Sequence, residues 1–101
     1  MDMHITTRHG EVPEALRTRA ITVLERLGKL AIRPTHGHIT FDFDHQRAEA
    51  EIILKPSRGE PIVARADGPD PRTALDRAAG KVRRQLDKAV TTRRRAAAGR
   101  A

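Results

Sequence analysis

The sequence contains no cysteine, no tryptophan and no tyrosine, and only two phenylalanines. Without cysteine there is neither a disulfide framework nor a thiolate metal site, and a reducing compartment fits. Both phenylalanines, Phe41 and Phe43, fall on the apolar side of an alternating pattern. No aromatic platform is left on which single-stranded bases would stack. No apolar run approaches the roughly 20 residues of a membrane-spanning helix. The opening MDMHITTRHG lacks the apolar centre of a signal peptide and reads as a strand. Nucleophile elbows, phosphate-cradling glycine loops and Ser-His-Asp signatures are also missing. The chain does not read as an enzyme, and neither a cofactor nor a small-molecule substrate is expected. Its 101 residues suit one small domain with a modest core and no deep enclosed site.

Positive charge is plentiful and unevenly placed. The net charge is +7, yet residues 1–80 hold 12 basic and 12 acidic side chains. The whole excess comes from Lys81, Arg83, Arg84, Lys88, Arg93, Arg94, Arg95 and Arg100, opposed only by Asp87. A neutral body with a cationic end points to a polyanionic partner, either nucleic acid or an acidic membrane surface.

Periodicity places six elements. Residues 2–8 alternate, with Met3, Ile5 and Thr7 on one side. Leu16, Ala20, Val23, Leu27 and Leu30 follow at helical spacing, so a helix is predicted over 13–31, with Pro13 opening it and Gly28 and Pro34 bracketing its end. Strands are predicted at 36–44, 47–55 and 62–67. Their inward residues are Ile39, Phe41 and Phe43, then Ala48, Ala50, Ile52 and Leu54, then Ile62, Ala64 and Ala66. A short turn at His45 and Gln46 makes the first two a hairpin. Pro61 favours an edge position for the last strand. Asp70 is the expected N-cap of a second helix, Pro71 its first residue, and Leu75, Ala78, Ala79, Val82, Leu86, Ala89 and Val90 its apolar face.

The order is therefore β-α-β-β-β-α. Each strand has one apolar face, which predicts an α+β fold: a four-stranded mixed sheet with both helices packed on one face. The first two strands pair in parallel through a right-handed crossover, and the last three form an antiparallel meander. Residues 1–90 form the single domain. Residues 91–101 are expected to be a basic tail, disordered without a partner.

The second helix is the most informative element. With Leu75 at zero and 100° per residue, Val82 and Leu86 lie within about 20° of Leu75. Arg77, Lys81, Arg84 and Lys88 lie at about 180° to 240°, and Arg95 extends that row. Aligned cations repel and weaken an isolated helix, so an acid-free stripe marks an electrostatic footprint for phosphates. On the first helix, Arg19, Arg26, Lys29 and Arg33 flank the apolar face, diluted by Glu14 and Glu25. Two such helices side by side would form a basic groove. Lys and Arg without exposed aromatics grip phosphates and recognise shape, which fits structured RNA. Membrane binding is disfavoured because the apolar face is committed to the core.

Other candidates are weaker. His36 and His38 share a strand face but lack further ligands for a metal, and His4 and His9 are surface residues or phosphate contacts. Asp42 and Asp44 are paired carboxylates on a face that solvent alone would explain.

These segments resemble a known family. HITTRHGEVPEALR at 4–17, LERLGKL at 24–30 and ARADGPDPRTALDRAAGKVRRQLDKA at 64–89 are similar, in order and spacing, to the short ribosome hibernation promoting factors, which include ribosome-associated inhibitor A, also called protein Y. Asp70, Ala74, Leu75, Asp76, Lys81, Arg84, Gln85, Leu86 and Lys88 match its last helix. Pro71 and Arg72 replace its usual Met-Tyr, Arg83 a frequent acid, and Ala79 a large aliphatic. The resemblance implies a β-α-β-β-β-α fold like that of double-stranded-RNA-binding domains. It also implies binding to the small ribosomal subunit and its rRNA, in the channel of messenger and transfer RNA, in the bacterial cytoplasm. It further implies silencing of idle ribosomes. Lys81, Arg84 and Lys88 would contact RNA, with help from Arg8, Arg26 and Lys29. The protein is expected to be a monomer in isolation. The alternatives are a stand-alone regulator that binds structured RNA away from the ribosome, and a protein-interaction module using the outer sheet face.

Overall fold

The two periodicities become six elements in a computed structural model, which describes the backbone of residues 1–30 and 33–98 and side chains as far as Lys88. They are β1 (Asp2–Arg8), α1 (Glu14–Leu30), β2 (Pro34–Asp44), β3 (Arg47–Pro56), β4 (Ile62–Gly68) and α2 (Pro71–Ala98). The sheet order is β1-β2-β3-β4, with β1 parallel to β2 and both other pairs antiparallel. The expected fold is the observed one.

The inward positions of the strands meet the apolar faces of both helices. Ile39, Phe41, Ala50, Ile52 and Leu54 lie under Leu16, Ala20, Leu24 and Leu27 of α1 and Leu75, Ala78, Val82 and Leu86 of α2 in one core. No charged or polar side chain is buried among the described residues. Gly37 lets α1 approach β2 closely, since a Cβ there would stand 3.1 Å from Leu24. Leu30 departs from its expected place in the core: it is 47% exposed, because it is the last residue of α1 and none of the described residues covers it.

Asp70 caps α2 as its sequence predicts. Its carboxylate accepts from the Thr73 backbone N–H at 2.8 Å and from the Thr73 hydroxyl at 2.9 Å. These bonds hold the Asp70 carboxyl below the usual carboxylate range. From this cap α2 runs to Ala98, about 42 Å. The segment expected as a tail over 91–101 thus falls in helical backbone as far as Ala98. Its side chains, and all of residues 99–101, lie outside the described residues.

Candidate nucleic-acid interface

Helices α1 and α2 lie side by side on one face of the sheet. Arg19 of α1 bridges them by donating to the Asp76 carboxylate of α2 through Nη2 at 2.8 Å and Nε at 3.2 Å. Arg26 follows Arg19 by two helical turns and so lies on the same flank of α1, toward α2. Arg26 and Lys29 on α1 and Arg84 on α2 are exposed and hold no ion pair or side-chain hydrogen bond among the described residues. Lys88 is exposed at the end of the same row. The side chain of Arg95 lies outside the described residues.

The cationic row of α2 is not uniform. Arg77 Nη1 donates to the carbonyl of Asp67 at 3.0 Å, Lys81 Nζ to that of Arg65 at 2.8 Å, and Gln85 Nε2 to that of Val63 at 3.0 Å. The acceptors are alternate residues of β4, the strand at the sheet edge. A step of four residues along a helix is about 6 Å and a step of two along a strand about 6.6 Å, so the two rows run in register. Arg77 and Lys81 therefore remain exposed in part but are anchored, with their charged ends over the β4 edge. Gln85 has no charge, and the reading of basic residues passed over it. Its signal was the spacing 77, 81, 85.

Arg8 lies apart from this surface. It ends β1 on the opposite, outer face of the sheet, where the register sets it beside Asp42. That outer face is a lattice of compensated charge. Arg65 pairs with Glu51 at 2.6 Å and Glu49 at 3.3 Å, and Arg47 with Asp67 at 3.0 Å. His9 Nδ1 pairs with Asp42 at 2.8 Å, and that hydrogen bond is the main cause holding the Asp42 carboxyl below its ordinary range. The charge-compensated outer face and the basic helical face thus give the molecule two electrostatically distinct sides. Among the described residues, no three histidine, aspartate or glutamate side chains converge to hold a metal ion. Nor, among the described residues, is any helix long and apolar enough to cross a membrane.

The family model described as sigma 54 modulation protein / S30EA ribosomal protein matches residues 3–94. The chain belongs to this family. Its members are ribosome-associated proteins, and ribosome binding and the regulation of translation are its setting. The fold is similar to that of the Thermus thermophilus Protein Y N-terminal domain, with a TM-score of 0.75 at 21% identity, covering 87% of this chain and 98% of that one. It is equally similar to a ribosomal subunit interface protein from Coxiella burnetii, with a TM-score of 0.75 at 24% identity, covering 90% and 99%. No curated protein matches. The resemblance drawn from residues 4–17, 24–30 and 64–89 is borne out at the level of the family.

Proposed function

We propose that this protein is a non-enzymatic ribosome hibernation factor of the bacterial cytoplasm. It occupies the decoding channel of the small ribosomal subunit, where messenger and transfer RNA bind, and inhibits translation by idle ribosomes. The observation that carries this reading is the paired basic surface: α1 and α2, tied by the Arg19–Asp76 bridge, present Arg26, Lys29 and Arg84 without acidic partners among the described residues. Arg77, Lys81, Lys88 and, farther along, Arg95 extend it. On a neutral sheet Arg26, Lys29, Arg77, Lys81, Arg84 and Lys88 are exposed and steer the molecule to RNA. Residues 1–90 supply the binding domain, and the basic segment over 91–101 adds attraction.

The mechanism is steric. Both helices pack on one buried core, so they deliver their cations as one array, and such an array recognises the shape of folded RNA rather than its sequence. Once seated, the body excludes the ligands that share the channel. Addition of the protein to a cell-free translation reaction is expected to stop initiation in proportion to its ratio to ribosomes, saturating near one copy per small subunit. Inhibition that needs a large excess, or that free duplex RNA relieves as well as ribosomes do, would instead identify a general structured-RNA binder.

A further inference from the structure

The proposed function uses the helical face and leaves the histidines unexplained. The strand register brings three of them together at one end of the outer face. Asp2, His36 and Lys55 form one cross-strand row, and His4, His38, Ile53 and Val63 form the next. The rings of His4 and His38 meet edge to face with centroids 6.2 Å apart. His38 Nε2 lies 2.8 Å from the Thr6 hydroxyl. His4, His36, His38 and Lys55 line a shallow cleft of about 260 Å³, floored by Gly37 and Ile53.

Carboxylates are scarce at this end. Asp2 on β1 is the sole carboxylate within the two rows, and it lies 3.5 Å from His36. In the next row, Glu51 of β3 is already taken up by Arg65 of β4 at 2.6 Å. Imidazole is the side chain that gains charge between about pH 8 and pH 5. Protonating neighbouring rings beside the Lys55 ammonium concentrates positive charge, which an anion seated among them would relieve. The imidazoles do not converge on a single point as metal ligands must. Their spread suits an anion with several acceptor oxygens.

We propose that this cleft is a second anion site, in which His4, His36, His38 and Lys55 take a phosphate of an RNA backbone when the imidazoles are protonated. The choice of RNA rests on the function proposed above. The cleft lies on the face away from α1 and α2, so both faces engage at once in a site walled by RNA. Phosphate binding and proton uptake then support each other, and the grip tightens as pH falls.

The test is nuclear magnetic resonance of the full chain, following the imidazole signals as inorganic phosphate is added at pH 6 and at pH 8. Signals of His4, His36 and His38 are expected to move at pH 6 and far less at pH 8, although phosphate itself is more negative at the higher pH. His45, whose side chain is 93% exposed at the hairpin tip, is expected to stay still and serves as the internal reference. Lys55→Gln weakens the response and His4→Gln with His38→Gln removes it, with an unchanged circular-dichroism spectrum. A second arm measures ribosome affinity across salt at both pH values. The wild type is expected to show a salt slope steeper by about 1 at pH 6 than at pH 8, and the double variant no such change. Imidazole signals indifferent to phosphate at both pH values would overturn the site, whether or not ribosomes bind. A phosphate response with identical slopes for wild type and variant would overturn RNA as the ligand in favour of free phosphate. The first arm needs no ribosome, so it stands even if the hibernation reading fails.

Discussion

Single side chains decide how the basic surface is to be probed. Lys81 carries a charge suited to RNA and a hydrogen bond to the Arg65 carbonyl. Lys81→Glu would place a carboxylate against that carbonyl, so it is expected to lower the unfolding temperature and the ribosome affinity together. Arg26→Glu with Arg84→Glu breaks no contact among the described residues. This pair is expected to leave stability within about 0.5 kcal/mol of the wild type while reducing ribosome affinity and flattening its salt slope by about 2. Thermal unfolding and binding measured on the same samples separate the two behaviours. Asp70 and Asp42 give a second residue-scale expectation. Both have carboxyls lowered in the folded state, Asp70 by its bonds to Thr73 and Asp42 by its bond to His9. A lowered carboxyl stabilises the fold fully above the unfolded value near pH 4 and loses that contribution as pH falls through the folded value. Acid unfolding is therefore expected to steepen below about pH 4. Asp70→Asn keeps a capping oxygen but removes part of this dependence, whereas Asp70→Ala lowers the unfolding temperature at neutral pH as well.

At the scale of elements, α2 both roofs the core and closes an edge. An edge strand exposes unpaired backbone groups that invite another chain. Arg77, Lys81 and Gln85 occupy three β4 carbonyls in succession. Replacing all three with alanine is expected to cost about 1 kcal/mol for each bond and to promote self-association, visible as a concentration-dependent mass in analytical ultracentrifugation. An unchanged stability and a strictly monomeric variant would show that the ladder does not close the edge. Much of α2 was legible in the sequence, because Leu75, Val82 and Leu86 repeat at the helical period and Asp70-Pro71 announces a start. The ladder was not. Its acceptors belong to Val63, Arg65 and Asp67, and only the tertiary placement of β4 beside α2 makes their carbonyls partners of residues 77, 81 and 85. Likewise the Arg19–Asp76 bridge joins residues 57 positions apart, a distance that helix periodicity cannot span. Leu30 kept the period of α1 but lost its cover, since periodicity assigns a face and not the extent of the neighbour beneath it.

Over the whole molecule, charge is sorted by face. The strands carry compensated pairs outward, the core carries none among the described residues, and the helices carry the surplus cations. Electrostatic attraction to RNA falls as salt rises, because each phosphate neutralised releases a counterion. The most direct measurement is cosedimentation with purified small ribosomal subunits over a salt series, with and without bound messenger and transfer RNA. Saturation near one copy per subunit, weakening with salt and exclusion by the bound RNAs are the predicted result. Binding that never saturates, or that persists when messenger and transfer RNA already fill the channel, would contradict it.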